Sequence, residues 1–422
     1  MAIELNSEIK LKDVKELIPY ARNSRTHDQA QVDQICASIK EFGFTNPILI
    51  DKDNSIIAGH GRLLASQKLG LKKVPTINLG YLSENQKKAY VIADNKLSLN
   101  AGWDMDLLKL ELEDLKEADI DLELTGFDND ELNSILAEIT EGNKDPDEVP
   151  ETPVDPVSKL GDLWELGNHR LLNGDSTLID DLDKLMNGNK IDMVFTDPPY
   201  NVNYGNWEGN EKNGFRFKKR PIENDNMSDD EFIEFIGNFV GNTRTYVNPG
   251  SPFYICYGEK RALTFLKAFE EVGLHKSSNL IWVKQNLVLG RSDYHYQHEP
   301  IFYGWFEDGK HKFYGDRKQV STWHFDRPMA SKLHPTMKPV ELIEKALENS
   351  SKPKDIVYEA FSGSGSTIIA CTKLDRCCYA IELDPKYVDV AIERWQEFTG
   401  KEAYLISEDS RTKYNDLKED KK

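Results

Sequence analysis

Short apolar runs alternate along this chain with segments in which apolar residues recur at helical spacing. Residues 35–42 read as a helix, 47–50 and 56–58 as strands, 59–69 as a helix opening on Gly59-His60-Gly61-Arg62, and 74–79 as a closing strand. Residues 81–140 read as helices, the first starting at Ser83-Glu84-Asn85-Gln86 and a later acidic, amphipathic one starting at Asp104. Residues 141–157 carry four prolines, many acids and no aromatic residue, the composition of a linker. Its like charges are expected to keep the two halves apart. Residues 161–172 then predict a hairpin turning at Gly167-Asn168. Residues 191–196 form an apolar run of the kind found in buried parallel strands, and 355–360 and 377–383 also read as strands. The pattern therefore predicts four parts: an α/β domain over 1–80, a helical extension over 81–140, a linker over 141–157 and a larger α/β domain over 158–422. No internal repeat is evident.

Composition sets limits around that plan. A chain of 422 residues is long enough for two or three domains of about 150 residues each. No apolar run approaches the roughly 18 residues that would span a membrane, and the start MAIELNSEIK has no hydrophobic signal core. The five cysteines, at 36, 256, 371, 377 and 378, show no C-x-x-C spacing. An odd number with one adjacent pair predicts reduced thiols packed in cores, hence a cytoplasmic protein.

The strand over 191–196 ends in Asp197-Pro198-Pro199-Tyr200. Asp197 precedes a proline and is pushed toward extended backbone. Pro198 and Pro199 fix φ and lack N–H groups. The corner is therefore stiff and rich in acceptors, with an aromatic ring beside a carboxylate. It suits an exocyclic amine on a flat heterocycle: Asp197 and the Pro198 carbonyl would accept its two hydrogens, and Tyr200 would stack on the ring. Holding both hydrogens frees a lone pair otherwise delocalised into the ring. Taken alone, the tetrapeptide reads equally well as a surface turn.

A second site is written near the C-terminus. The strand over 355–360 is followed by Phe361-Ser362-Gly363-Ser364-Gly365-Ser366-Thr367, a tight glycine turn opening a helix over 366–374. Gly363 and Gly365 permit positive φ or close approach of backbone to a ligand. Glu382, at the end of the next strand, lies 19 positions beyond Gly363, where an acid can hold ribose hydroxyls. Pro385 suits the first turn of a helix over 385–398. Position 368 is Ile, so the full dinucleotide pattern G-x-G-x-x-G is absent.

These two motifs together resemble the S-adenosylmethionine-dependent amino-methyltransferases of DNA. The order, catalytic motif first and glycine turn about 165 residues later, resembles their circularly permuted β class. The resemblance implies a Rossmann-like methyltransferase domain. His334-Pro335-Thr336-Met337-Lys338-Pro339 resembles the family block whose polar residues hold the methionine end of the cofactor. Asn173-Gly174-Asp175-Ser176 resembles the segment whose Asp contacts the adenine side. His298-Glu299-Pro300-Ile301 resembles a block lining the substrate pocket. S-adenosyl-L-methionine would thus be held by Asp175, Thr336, Lys338, Phe361, Gly363, Ser364, Gly365 and Glu382. One departure stands out: many relatives carry Asp-Pro where this chain has Glu359-Ala360. No second histidine follows His298-Glu299 at H-E-x-x-H spacing, so no metal is expected.

In the resembled family Asp-Pro-Pro-Tyr goes mostly with adenine N6, Ser-Pro-Pro-Tyr mostly with cytosine N4 and Asn-Pro-Pro-Tyr with protein glutamine. Cytosine N4 remains the alternative. Either base atom lies inside a stacked duplex, so the nucleotide must be extruded at a cost of a few kcal/mol, and stacking on Tyr200 would return about 1–3 kcal/mol.

A formal charge of −19 looks unsuited to DNA until it is mapped: residues 101–160 hold 19 acids and 4 lysines. Lys212, Arg216, Lys218, Lys219 and Arg220, interleaved with Phe215 and Phe217, follow the catalytic corner and suit phosphate contact and base stacking. Residues 203–225, low in aliphatic side chains, are expected to be disordered without DNA.

The stretch IIAGHGRLLASQKLGLKKVP, with Asn23-Ser24-Arg25 before it, resembles the N-terminal domain of ParB-type chromosome-partition proteins, related to sulfiredoxin. That fold presents a glycine-arginine turn to a phosphate, which makes Gly59 and Arg62 the phosphate-site candidates and a nucleotide the implied ligand. His60-Gly61 replaces the middle of the usual Gly-Glu-Arg-Arg signature. The expectation is an enzyme methylating adenine N6 in double-stranded DNA, in the cytoplasm of a bacterial or phage-infected cell, either alone or as a homodimer. A partition-like module with a non-catalytic methyltransferase scaffold, or a nuclease or nucleotide-hydrolysing N-terminal domain, stands against it.

Overall fold

The computed structural model describes residues 8–20, 28–98, 103–137, 140–202, 225–287, 293–326, 337–407 and 410–421. The chain divides into two compact units, Met1–Leu136 and Ala137–Lys422.

In the first unit β1 (Ile9–Asp13), α1 (Gln29–Phe42), β2 (Ile48–Ile50), β3 (Ile56–Ala58), α2 (His60–Lys68) and β4 (Lys73–Asn78) form an α/β domain on a four-stranded sheet of order β1-β4-β2-β3. Its core is the apolar set that alternation along the strands predicts: Ile48, Ile50, Ile56 and Val74, packed with Leu63, Val14 and Leu17. Three helices follow: α3 (Glu84–Ser98), α4 (Met105–Glu117) and α5 (Asn129–Ile135). Their starts are set by side chains that satisfy free N–H groups of the first turn. Ser83 and Gln86 pair across the start of α3, Asp104 accepts from Leu107 N, and Asp128 and Glu131 form a reciprocal capping box.

The second unit contains β5 (Leu163–Leu166), β6 (His169–Asn173), α6 (Ile179–Met186), β7 (Met193–Thr196), α7 (Asp229–Arg244), β8 (Phe253–Cys256), α8 (Ala262–Glu271), β9 (Leu274–Val283), β10 (His298–Phe306) and β11 (Thr322–His324). It continues with α9 (Val340–Ser350), β12 (Ile356–Glu359), α10 (Ser366–Lys373), β13 (Cys377–Glu382), α11 (Pro385–Thr399), β14 (Tyr404–Ile406), β15 (Arg411–Lys413) and α12 (Tyr414–Glu419). Among the described residues these strands make an eleven-stranded sheet of order β11-β9-β10-β8-β7-β12-β13-β6-β5-β14-β15. The middle five, β8 to β6, run parallel. Residues along them alternate between two buried clusters. Met193, Phe195, Val357 and Ala380 face α9, α10 and α11, while Val194, Tyr358 and Ile381 face α6, α7 and α8. Covering both faces explains why these strands read as continuous apolar runs. The hairpin β5–β6 turns at Gly167, whose φ is +60°.

The chain leaves β7 outward to β8, then returns to place β12 on the other side of β7. Strand order reverses there, and the carboxyl ends of β7 and β12 flank the crevice that such a reversal opens.

Residues 141–157 differ from the expectation of a free, self-repelling linker. Asn143 N donates to Phe398 O, the Arg394 guanidinium to Pro146 O, and Val157 N to Asp389, so the segment lies along α11 of the second unit. Within it Asp147 accepts from Val340 N and Glu148 pairs with Lys144, contacts that charge counting alone does not reveal. Cys36, Cys256, Cys371 and Cys378 are buried free thiols and Cys377 is half-buried. Among the described residues no helix is long and apolar enough to cross a membrane.

Candidate active site

Asp197-Pro198-Pro199-Tyr200 leaves the carboxyl end of β7. The corner is anchored behind by Asn201, a buried residue in left-handed backbone (φ +53°). Its side chain donates to Met227 O at 2.9 Å and accepts from Met227 N at 2.7 Å, and its own carbonyl accepts from Arg261 Nε at 3.1 Å. Tyr200 packs edge-on to Phe265 and lies over Gly258, where an added Cβ would come within 3.2 Å of the tyrosine. Gly258 follows β8 because the ring needs that space. The Tyr200 hydroxyl donates to Asp197 Oδ1 at 2.8 Å and lies 3.3 Å from Glu299 Oε2.

A lysine completes the corner. Lys338 Nζ lies 2.5 Å from Asp197 Oδ2, 3.1 Å from the Tyr200 hydroxyl and 3.2 Å from Glu299 Oε2, and Glu299 is also paired with Lys284. Lys338, expected among the contacts to the methyl donor, thus directs its charge to the Asp197 carboxylate. Two buried ammonium groups alternate with two partly buried carboxylates. Burial acts against the charge on Lys338, yet Asp197 and Glu299 raise its pKa overall. Burial would lift the Glu299 carboxyl, but Lys338 and Lys284 outweigh it and bring it down to about 2. Burial pushes Asp197 upward, and Lys338 pulls it only part of the way back. Such pairing is what makes so many charges tolerable in a poorly solvated crevice.

The glycine turn sits at the end of β12, across the strand-order reversal. Gly363 (φ +52°) and Gly365 (φ +80°) are both left-handed, for different reasons. Space above Gly363 is open, whereas a Cβ on Gly365 would lie 2.9 Å from Ala391 Cβ on α11. Glu382, at the end of β13, accepts from Gly363 N at 2.7 Å and Asp384 N at 2.9 Å, and burial pushes its carboxyl up to about 7. Asp175, past the end of β6, accepts from Thr177, while Gly174 N donates to Glu382 O at 3.0 Å. The three strand ends therefore converge. Among the described residues, the buried Asn173 Oδ1 and Ser362 Oγ here have no hydrogen-bond partner. An unpaired acceptor, a free hydroxyl, a paired acid and open space over a glycine fit a nucleoside ligand.

Glu359, in the position of the family's usual Asp, is 3% exposed; it accepts from Thr196 Oγ1 at 2.5 Å, Phe361 N at 3.0 Å and Thr367 Oγ1 at 2.7 Å. It thereby ties the end of β7 to the glycine turn. Burial lifts its carboxyl to about 8.

Other candidates fall elsewhere. Thr336 and Lys212, Arg216, Lys218, Lys219 and Arg220 lie outside the described residues, as does the 203–224 stretch expected to be disordered. Its flanks are joined, because Asp225 accepts from Val202 N at 3.0 Å. Gly59 (φ +101°) and Arg62 are in the first unit. Arg62 Nη1 donates to Asn46 O and Pro47 O, and its guanidinium folds back over Gly59. That engagement with carbonyls is a structural use of the arginine. Sequence reading missed Lys284, Gly258 and the buried Arg394, whose Nη1 donates to Ser364 and Ser366. None belongs to a recognisable motif; only contacts with residues distant along the chain mark them.

Residues 191–393 match the family model described as DNA methylase of the N6/N4 type, residues 4–95 the ParB N-terminal domain, and residues 106–160 the ParB-methyltransferase HTH domain. The ParB-like nuclease domain-containing protein YnaK of Escherichia coli K12 is 49% identical over 81 residues, 19% of this chain and 93% of that protein. The type II methyltransferase M.BglII of Bacillus subtilis is 26% identical over 265 residues, covering 53% of this chain and 68% of its own length. The crystal structure of the M1.HpyAVI–SAM complex superposes with a TM-score of 0.40 at 23% identity, covering 53% of this chain and 98% of that one. The cytosine-N4-specific PvuII DNA methyltransferase gives 0.42 at 15%, covering 58% and 90%. An acidic Pro-Pro-Tyr corner facing a glycine turn across a strand reversal is thus joined, in one polypeptide, to a ParB-like sheet: the chain carries an N6/N4 DNA methylase domain over residues 191–393 and, through residues 4–95, belongs to the ParB N-terminal domain family.

Proposed function

We propose that this DNA methyltransferase transfers a methyl group to N6 of an adenine flipped out of double-stranded DNA. The observation that carries the reading is Asp197 itself, an acid on a proline-stiffened corner with the Tyr200 ring beside it and the glycine turn across the crevice. S-adenosyl-L-methionine, when bound, supplies the electrophilic methyl group. Asp175, Phe361, Gly363, Ser364, Gly365 and Glu382 are assigned to hold it, and Thr336, outside the described residues, is assigned the same role by the family resemblance. Asp197 and the Pro198 carbonyl accept the two amine hydrogens, Pro199 keeps the corner rigid, and Tyr200 stacks on the extruded base. Lys338 is the counter-charge that keeps Asp197 an acceptor, and Glu299 balances Lys338. The proton lost from the methylated nitrogen leaves to Asp197 or to water. Phosphate contacts are assigned to Lys212, Arg216, Lys218, Lys219 and Arg220 on electrostatic grounds.

Digesting DNA incubated with the protein and S-adenosylmethionine to nucleosides and weighing them tests base and atom together. N6-methyladenine is expected. N4-methylcytosine in its place would keep the architecture and overturn the substrate.

A further inference from the structure

Residues 140–157, inside the 106–160 match, are held along α10 and α11 by a ladder of contacts. Thr140 N donates to Lys373 O and Asn143 N to Phe398 O; Lys144 pairs with Glu397 at 2.9 Å; Ser158 N and Oγ, with Val157 N, close the ladder on buried Asp389. Gly142 (φ +76°) lies against the Phe398 ring so closely that an added Cβ would collide with it. The centre of the ladder is Arg394, 2% exposed. Its Nη2 donates to Pro146 O at 2.6 Å, and its Nη1 reaches Ser364 O at 3.0 Å, Ser364 Oγ at 3.2 Å and Ser366 Oγ at 3.1 Å. Asp147 follows on the same segment, and its Oδ1 accepts from Val340 N at 3.0 Å, the first residue of α9 and two positions beyond Lys338. Burial brings Arg394 down to about 10, opposed by Asp147 and Asp145. A buried guanidinium that donates to two segments at once makes the position of one depend on the other.

We infer that residues 140–157 are a positioning strap for the methyl-donor crevice: through Arg394 they hold the 364–366 turn, and through Asp147 the start of α9, in the geometry that binds the donor. Arg394 and Asp147 act through the turn and do not touch the transferred methyl, so they are positioning residues. The inference rests on reading the glycine turn as the donor crevice.

The test uses the full chain. Calorimetric titration with S-adenosylmethionine and steady-state kinetics on duplex DNA are compared for wild type, Gly142→Ala, Asp147→Ala and Arg394→Lys, with melting curves to establish folding. Lysine keeps the charge but cannot fork to Pro146, Ser364 and Ser366 together. Each variant is expected to raise Kd and KM for the donor about tenfold, with kcat within about twofold and KM for DNA unchanged. Folded variants with wild-type donor Kd would overturn the strap, as would activity lost only in proportion to the unfolded fraction. A wild-type donor Kd in Arg394→Lys beside a weakened Asp147→Ala would remove the guanidinium as the link. Failure of the wild type to bind donor would instead overturn the donor-crevice reading.

Discussion

Among the described residues Asp197 accepts from the Tyr200 hydroxyl and the Lys338 ammonium, both donors. An incoming amine also offers donors, so it would replace or share these contacts with little change in what the carboxylate needs. Asp197→Ala is therefore expected to lower turnover at least about 100-fold while leaving the Kd for S-adenosylmethionine within about threefold; methylation by that variant at the wild-type rate would refute the assigned role. Lys338 acts on the proton affinity of the same group. With Lys338→Gln, burial and the Glu299 charge are opposed only by the Tyr200 hydrogen bond, and the Asp197 carboxyl moves further up. The acidic limb of the kcat–pH profile should then shift to higher pH, and an unmoved limb would mean that Asp197 ionisation does not control the rate.

At the scale of elements, the glycine turn shows how one sequence signal covers two physical demands. Gly363 needs positive φ but has room, whereas Gly365 needs positive φ and must also let α10 approach α11. Gly363→Ala should cost about 1–2 kcal/mol of stability. Gly365→Ala should cost more, about 2–4 kcal/mol once the clash with Ala391 is added to the strained φ, with a weaker donor Kd. Denaturant titration of the two variants reads the difference, and equal losses would show that the α11 contact yields freely. The same turn explains the legibility of the strands and helices around it. Burial of β7, β12 and β13 on both faces writes them as apolar runs, and Gly and Pro mark where each run must stop. Sequence could not reveal which strands become neighbours, because β7 and β12 lie some 160 positions apart and pair only through the long return of the chain.

For the whole molecule, the donor side carries a consequence for pH. Glu359, raised to about 8, and Glu382, raised to about 7, both start from an ordinary value of 4.5. The folded state therefore holds more protons than the unfolded chain between these limits. The stability they contribute is complete below pH 4.5 and is lost as pH rises through 7 and 8. Glu299, lowered to about 2, works the other way and loses its contribution only as pH falls from 4.5 through 2. Glu359→Gln keeps an acceptor for Thr196 and Phe361 and can donate to Thr367, so it should fold normally. Its melting temperature should exceed that of wild type at pH 9 and match it near pH 5; parallel profiles would remove Glu359 from this role.

The sequence by itself determined what depends on neighbours along the chain: the stiff Asp197 corner, the left-handed glycines at 363 and 365, the acid at 382, the capped helices and the two-part αβ plan. Such features follow from backbone sterics and side-chain periodicity, which act over a few residues. Tertiary structure alone decided that Lys338 and Glu299 meet Asp197, that Gly258 makes room for Tyr200, and that the acidic stretch over 141–157 is a docked strap on Arg394. Those contacts join residues from about 60 to about 250 positions apart. Their strength comes from burial, which turns charges that would be independent in water into obligatory partners.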